Sequence, residues 1–250
     1  MKIKEKSLSM AMAAGIKNWL RNMRILGFDT SSNNLSLAIL NNNKIAEENI
    51  HSERRLSSLI IPSIAKILKK TKLSLDTLDG FAVGLGPGSF TGLRVGISTV
   101  KGLAMVCKKP IIGISTLDIL AANIPIKNMQ ICTIIDAKRN NVYYCLYKNN
   151  SRLRKLASYG LIDINQLIKK IKEDTIFTGD GLSIFEQLIK DTLGKRAFMA
   201  ERQDWVPSAK NLVILAKERF ESRKFDDPDK LAPLYLYPKE CQIKGFKNAK

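Results

Sequence analysis

The segment Ile25-Leu26-Gly27-Phe28-Asp29-Thr30-Ser31 decides the fold of this 250-residue chain. A short apolar run that ends in an acid and a polar turn predicts a buried strand followed by a loop. Two more strand candidates follow, at 35–40 and 44–50, and the Asn41-Asn42-Asn43 run between them predicts a tight turn. The chain therefore opens with three strands, the first of which delivers a carboxylate to its end.

The second half of the chain repeats this opening. Residues 131–135 form an apolar run that ends in Asp136, and a strand candidate at 142–147 is followed by Asn149-Asn150. The two acids lie 107 residues apart (136 − 29), and so do Asn42 and Asn149 (149 − 42). This common offset indicates an internal duplication. The alternative is a chance recurrence of Asn-Asn turns, which are common in this chain.

The order of the predicted elements indicates the architecture. Each half contains three strands, a helix, a strand and a helix, with variation in the second half. This order is typical of the lobes of actin, Hsp70 and the sugar kinases. It predicts an α/β, two-lobed, ribonuclease H-like fold with duplicated lobes. We expect an extension outside the core at 1–22, an N-terminal lobe at 23–114, a C-terminal lobe at 115–225, and a C-terminal segment with a basic tail at 226–250.

Composition restricts the class of function. The net charge is +18, from 41 Lys and Arg against 23 Asp and Glu. It indicates either a polyanionic neighbour such as nucleic acid or a codon bias toward lysine.

His51 is the only histidine and none of the four cysteines forms a C-x-x-C pair, so we expect no metal site. Cysteines in apolar segments suit a reducing cytoplasm. Because no apolar run reaches the ~18 residues that span a bilayer, we expect no membrane contact.

The Gly-rich segment from Gly84 to Gly96 reads Gly-Leu-Gly-Pro-Gly-Ser-Phe-Thr-Gly-Leu-Arg-Val-Gly. It follows a predicted strand and opens a predicted helix, where backbone N–H groups favour an anion. A structural tight turn is the alternative, and no Gly-Lys-Ser/Thr makes it a Walker loop. Gly92 and Gly96 lie inside the helix, where each costs about 1 kcal/mol relative to Ala. Close helix packing would offset that cost, either within the fold or across a subunit interface.

Several of these segments together resemble one family. Residues 25–31 and 84–96 are followed, in order, by Gly113-Ile114-Ser115-Thr116-Leu117, Ile135-Asp136-Ala137-Lys138-Arg139 and Gly179-Asp180-Gly181. Over about residues 24–238 the chain resembles the TsaB (YeaZ) family, bacterial proteins of tRNA threonylcarbamoyladenosine biosynthesis. The Gly-Pro-Gly-Ser-Phe-Thr-Gly-Leu-Arg run is the most specific of these matches.

The resemblance implies a non-catalytic scaffold subunit. Members of the family dimerise with a catalytic TsaD-like paralogue, and the pair recruits a small TsaE-like ATPase. The assembly forms N6-threonylcarbamoyladenosine at position 37 of tRNAs that read A-starting codons. The resemblance further implies tRNA contact through the complex, a homodimer as a second form of assembly, and no cofactor on this chain, with ATP and a metal ion used by the partners. The catalytic relative holds its metal through a His-x-x-x-His pair, whereas His51 is followed four residues later by Arg55.

Two sets of candidate site residues follow, and neither contains a catalytic residue or a metal ligand. The candidate partner interface lies on the two helices of the first lobe, where Ile61 and Ala65 widen the apolar stripe; its residues are Leu56, Ile60, Ile64, Ile67, Gly92 and Gly96. The candidate contacts of an anion or nucleotide are Asp29, Thr30, Ser31, Gly88, Ser89, Gly179 and Gly181. The alternative function is an independent enzyme of the actin-like ATPase superfamily, either a small-molecule kinase or peptidase-like. In that case Asp29 and Asp136 would be catalytic carboxylates.

Overall fold

A computed structural model describes residues 22–52, 56–150 and 152–236. These residues form two β-sheets, and helices cover both faces of each sheet. The predicted extension at 1–22, apart from Asn22, lies outside the described residues, as does the basic tail from residue 237 onward.

The elements alternate in the way that the sequence predicts. The strands are β1 (Arg24–Asp29), β2 (Asn34–Asn41), β3 (Lys44–His51), β4 (Gly80–Gly84), β5 (Ile111–Ile114), β6 (Gln130–Asp136), β7 (Asn141–Asn149), β8 (Leu153–Lys155), β9 (Gly160–Asp163), β10 (Thr175–Thr178) and β11 (Ala197–Met199). The helices are α1 (Leu56–Thr71), α2 (Phe90–Cys107), α3 (Thr116–Ala122), α4 (Ile164–Lys170), α5 (Leu182–Leu193) and α6 (Ala209–Glu221). Short 3₁₀ turns lie at Leu75–Thr77, Gly194–Arg196 and Arg202–Trp205.

The two sheets share one topology. The first has the order β3-β2-β1-β4-β5, in which β1 is antiparallel to β2 and parallel to β4. The second has the order β11-β10-β6-β7-β8, in which β6 is antiparallel to β7 and parallel to β10. β1 and β6 therefore hold equivalent central places, and both are covered on two faces, which explains their continuous apolar runs. The predicted α/β fold with duplicated lobes is confirmed.

Each sheet is covered by two helices on one face and by a single helix on the other. α1 and α2 pack on one face of the first sheet, and α6 packs on the other. α4 and α5 pack on one face of the second sheet, and α3 packs on its other face. α3 also contacts α6, so these two helices lie between the sheets.

The C-terminal part of the chain returns to the first lobe, which corrects the predicted lobe boundary at residue 225. Leu212 and Phe220 of α6 are fully buried in the core of the first sheet. Beyond α6, the Asp226 N–H donates to the Ile111 carbonyl oxygen at 3.0 Å, and the Leu234 N–H donates to that of Leu85 at 2.8 Å. The first lobe therefore comprises both ends of the described chain.

α2 is long and apolar enough, by length and composition alone, to cross a membrane. In this fold it is a core helix. Its buried stripe packs against the first sheet and contains Leu93, Ile97, Val100 and Ala104.

Candidate functional site

The Gly-rich loop before α2 closes onto the turn that follows β1. The Ser89 N–H donates to the Ser31 carbonyl oxygen at 2.6 Å, and Thr30 Oγ1 donates to the Gly92 carbonyl oxygen at 2.8 Å. A Cβ at Gly92 would lie 2.1 Å from the Thr30 carbonyl oxygen, and one at Gly96 would lie 2.3 Å from Thr30 Oγ1. These distances are far below van der Waals contact, so only glycine allows the helix to approach this closely. Of the two packing alternatives for these glycines, the one within the fold is observed.

Asp29 is fully buried beneath this loop, and its carboxylate is satisfied within the protein. Oδ1 accepts from the Ser31 N–H at 2.8 Å and from Ser31 Oγ at 2.6 Å, while Oδ2 accepts from Thr116 Oγ1 at 2.9 Å. Burial raises the pKa of Asp29 above its ordinary value. Thr30 is also fully buried. The prediction that Asp29 and Thr30 contact an anion is therefore corrected: neither side chain reaches solvent, and Asp29 ties α3 to the end of β1.

A cleft of about 730 Å³ lies between the lobes, above this buried acid. Ser31, Gly88 and Ser89, three of the predicted anion contacts, line its N-terminal side. Gly179 and Gly181 do not line it, because they pack on the backbone of Ile134. A Cβ at Gly179, whose φ is +110°, would lie 2.1 Å from the Ile134 carbonyl oxygen. Anion contact stays a prediction for the first three residues and is corrected for these two glycines.

The C-terminal side of the cleft carries four charged residues, of which the sequence analysis named only Asp136 as a candidate site residue. Asp136, Lys138, Arg139 and Asp180 line it. Asp136 accepts from both the N–H and the Nζ of Lys138, and this partner raises the pKa of the lysine. The Asp136 N–H donates to Asp180 Oδ1 at 3.0 Å, and burial raises the pKa of Asp180. Asp136, the second candidate catalytic carboxylate, is therefore held in an ion pair.

The turn that carries these cations is strained. Lys138, Arg139 and Asn140 have φ values of +65°, +53° and +61°, and none of them is glycine. A left-handed non-glycine residue costs about 1–2 kcal/mol. The resemblance motif Ile135-Asp136-Ala137-Lys138-Arg139 contained the signal for this part of the cleft, but the motif alone assigned no role to Lys138 or Arg139.

The candidate partner interface on α1 and α2 needs a larger correction. Ile60, Ile64 and Ile67 are at most 3% exposed and belong to the core of the first lobe, where the half-buried Leu56 also packs. Together with Gly92 and Gly96 they form the inner face of the helix pair and cannot contact a partner without opening the core. Two apolar stripes run along α1, and they are offset by one residue. One contains Ile60 and Ile64 and is buried in the core, and the other contains Ile61 and is exposed.

The outer face of the helix pair is apolar as well. Ile61 on α1 is 54% exposed, and Met105 and Val106 on α2 are 76% and 81% exposed. Ala65 is exposed beside Ile61, and a Cβ at Gly102 would meet no atom within 4 Å. We name the set Ile61, Ala65, Gly102, Met105 and Val106 the outer helix face. Large exposed apolar side chains on both helices indicate a candidate interaction surface.

An aromatic cluster lies where α2 meets the Gly-rich loop. The Arg94 guanidinium lies 3.9 Å from the ring centroid of Phe90, and Arg94 Nε donates to the Tyr235 hydroxyl at 3.3 Å. Phe90 and Tyr235 are 55% and 43% exposed. The cluster joins the C-terminal segment to the first lobe near the mouth of the cleft.

The described residues contain no group of three or more His, Cys, Asp or Glu side chains that could hold a metal ion. His51 lies at the exposed end of β3, where its Nδ1 is 2.8 Å from Asn34 Oδ1. The predicted absence of metal and of catalytic residues stays a prediction.

Comparison with known proteins identifies the family. The family model "TsaD: tRNA N6-adenosine threonylcarbamoyltransferase" matches residues 39–244. The tRNA threonylcarbamoyladenosine biosynthesis protein TsaB of Bacillus subtilis is 30% identical over 233 residues, which cover 91% of this chain and all of that protein. TsaB of Escherichia coli is 28% identical over 224 residues, covering 86% and 94% of the two chains.

Two further comparisons concern a solved structure and a transferase. The structure of YeaZ from Pseudomonas aeruginosa aligns with a TM-score of 0.74 at 24% identity, over 86% of this chain and all of that one, which shows a shared fold. A tRNA N6-adenosine threonylcarbamoyltransferase of Fervidobacterium nodosum is 30% identical over 109 residues, which cover 37% of this chain but only 32% of that protein. The alignment thus covers 94–100% of these two TsaB proteins and about a third of this transferase. The chain belongs to the TsaB family of tRNA threonylcarbamoyladenosine biosynthesis proteins.

Proposed function

We propose that this chain is the non-catalytic subunit that pairs with a TsaD-like paralogue to form N6-threonylcarbamoyladenosine at position 37 of tRNAs reading A-starting codons. The observation that carries the proposal is the similarity to TsaB proteins over their whole length. The buried Asp29 and the ion-paired Asp136 support a role without chemistry of its own, because neither carboxylate is free to act on a substrate.

The outer helix face is the surface that we assign to the partner. It presents Ile61, Met105 and Val106 to solvent, and the small residues Ala65 and Gly102 allow a second helix to approach closely. A paralogue of the same fold carries a corresponding helix pair, so the two pairs can pack face to face. A stable interface of standard size buries about 800 Å² on each partner. In the absence of the paralogue, the same face would accept a second copy of the chain.

The remaining parts of the assembly follow from the family. We propose that the pair recruits a small TsaE-like ATPase, that ATP and a metal ion are used by these partners, and that this chain holds no cofactor of its own. The tRNA is reached through the complex, in the cytoplasm. Nothing in this chain substitutes for the His-x-x-x-His pair that the resemblance implies for the catalytic subunit, because His51 is the only histidine.

Pairing tests the proposal most directly. Met105→Asp places a charge on the part of the outer helix face that α2 contributes, and burying an unpaired carboxylate costs several kcal/mol. We expect this variant to fold, because Met105 is 76% exposed, and to lose co-purification with the TsaD-like chain. Ile184→Asp, at an apolar side chain of α5 that is 57% exposed, is the matched control and should pair normally.

Depletion in cells tests the biological role. We expect tRNAs that read A-starting codons to lose threonylcarbamoyladenosine, which nucleoside analysis by mass spectrometry measures. Complementation by the Ile184→Asp variant but not by the Met105→Asp variant would tie the modification to pairing. Normal modification in depleted cells without a second homologue would contradict the proposed function.

A further inference from the structure

β7 and β8 form a ribbon at the edge of the second sheet, and one face of it is basic. Lys148 pairs directly with Arg154 across the two antiparallel strands. Because side chains alternate along a strand, Asn150, Arg152 and Leu156 lie on the same face. These five side chains line a groove of about 440 Å³, which we name the ribbon groove.

Within the described residues, the charges of the ribbon groove are not balanced. Like charges directly opposite one another on adjacent strands are destabilising. Glu173 compensates the charge of Lys148, because the lysine Nζ lies 3.1 Å from Glu173 Oε2. Arg152 and Arg154 are exposed and form no ion pair with any residue in the described ranges. One face of the ribbon therefore carries two guanidinium groups without an acidic partner among the described residues, and both lie beside a lysine.

The surrounding sequence lacks the acids that would neutralise these cations locally. Between Asp136 and Asp163 the chain has no Asp or Glu, and its basic residues are Lys138, Arg139, Lys148, Arg152, Arg154 and Lys155. Lys138, Lys148 and Lys155 have acidic partners in the fold, whereas Arg152 and Arg154 have none among the described residues. The net charge of +18 agrees with a polyanionic ligand rather than a single small anion.

The geometry favours a phosphate backbone. A guanidinium presents a planar set of donors that matches a phosphate in a bidentate arrangement. Arg154 lies in β8 and Arg152 immediately precedes the strand, so in extended chain their Cα atoms are about 7 Å apart and the side chains can reach neighbouring phosphates. Leu156, 43% exposed, adds an apolar surface that a ribose or base can cover.

We propose that the ribbon groove binds the phosphate backbone of the tRNA that the complex modifies. This inference rests on the proposed function, since it takes the substrate of the pair to be tRNA. It assigns the C-terminal lobe of this chain to the substrate and its N-terminal lobe to the partner. The protein would then hold tRNA in position for a catalytic centre on another chain.

The test uses the assembled pair of this chain with its TsaD-like partner and a fluorescently labelled tRNA that reads an A-starting codon. Binding is measured by anisotropy between about 50 and 200 mM salt, because each phosphate contact adds about 0.7 to 0.9 to the slope of log K against log salt. We expect the Arg152→Ala/Arg154→Ala variant to bind on the order of tenfold more weakly and with a smaller slope. The Arg152→Lys/Arg154→Lys variant should keep the slope, because it keeps the charges.

The matched control removes the same charge from the other lobe. Lys44→Ala/Lys210→Ala changes two exposed lysines on the first lobe, outside the outer helix face, and should leave affinity and slope unchanged. Circular dichroism and size-exclusion chromatography establish that each variant folds and pairs. Unaltered tRNA affinity of a paired Arg152→Ala/Arg154→Ala variant would overturn the inference alone, and the proposed function would stand. Failure of the wild-type chain to pair would overturn both. Normal tRNA binding with lost recruitment of the small ATPase would reassign the groove to an acidic protein and so also overturn the inference.

Discussion

Gly92 and Gly102 both lie in the sequence of α2, but their surroundings in the structure are opposite. Gly92 is buried against the Thr30 carbonyl, whereas Gly102 faces open space on the outer helix face. Both lower the intrinsic stability of the helix by about 1 kcal/mol relative to Ala. Only the first is required by the fold, so the second is the one whose presence calls for a reason outside the lobe.

Substitution of each glycine by Ala separates these roles. We expect Gly92→Ala to lower the free energy of unfolding by about 1–3 kcal/mol, because its Cβ would overlap a backbone oxygen that cannot move away. Gly102→Ala should raise it by about 0.5–1 kcal/mol through helix propensity. Urea denaturation of the isolated chain measures both. Equal effects of the two substitutions would show that α2 does not pack on Thr30.

Asp29 predicts a pH dependence of stability. Burial is the largest cause of its raised pKa, and the hydrogen bonds from Ser31 and Thr116 oppose it. The unfolded chain loses this proton near pH 3.8 and the folded chain loses it at a higher pH, so in between the folded state binds more protons. The stability that Asp29 contributes is therefore present in full below pH 3.8 and falls as the pH rises through the raised pKa.

The Asp29→Asn variant isolates this effect, because it removes the titrating group and keeps the shape. We expect the difference in free energy of unfolding, wild type minus variant, to decrease from about pH 4 upward. Denaturation at a series of pH values measures this difference. A difference that does not change with pH would contradict the burial of an ionisable Asp29.

At the scale of elements, Arg219 joins α6, β5 and the C-terminal segment. Its guanidinium donates to the carbonyl oxygens of Gly113 and Lys224 and to Asp226, all at 2.8–2.9 Å. Asp226 in turn accepts from the Gly113 N–H at 2.8 Å. One side chain on α6 therefore connects the return of the chain to the first sheet.

We expect Arg219→Ala to lower the free energy of unfolding by about 1–3 kcal/mol, because it leaves partly buried acceptors without donors. Lys217→Ala on the same helix removes only a loose surface pair with Glu221 at 3.9 Å and should change stability by less than about 0.5 kcal/mol. Thermal or urea denaturation compares the two. Similar losses from both variants would mean that the C-terminal segment is not anchored through Arg219.

At the scale of elements, the sequence predicts local structure better than it predicts packing. Apolar runs and Asn-Asn turns predicted the long strands and their duplication, because both signals are local, but not the short strands β9 and β11. The helices were predicted too, but not which face of α1 is buried, since Ile60 and Ile61 are neighbours and both stripes are apolar. The place of α6 on the first sheet depends on contacts between residues that lie far apart in the chain, such as Leu212 with Ile25 in one core. No local pattern carries that information.

At the scale of the whole molecule, the cleft is a further feature that the sequence predicts only in part. Ser31 and Ser89 come from one lobe, and Asp136 and Asp180 come from the other, so the site exists only after the lobes assemble. The Gly-rich segment predicted one wall of the cleft from its motif. The opposite wall depends on the left-handed turn at Lys138, whose conformation no residue preference indicates, because glycine is absent from it.

The whole molecule should bind no metal. Cys132 and Cys145 are free and buried, burial raises the pKa of both thiols, and the described residues contain no group of three or more potential ligands. Elemental analysis of the purified chain should find no stoichiometric zinc or iron. One bound metal ion per chain would contradict this expectation.

The return of the chain to the first lobe has a consequence for synthesis. The ribosome makes β1 to β5 first, but the cores on both sides of that sheet lack Phe220 and Leu231 until almost the whole chain has left the exit tunnel. The second lobe, whose core residues lie between 117 and 205, is available earlier. The half that is translated first is therefore completed last, and an interrupted nascent chain leaves exposed the apolar face of the first sheet that α6 covers.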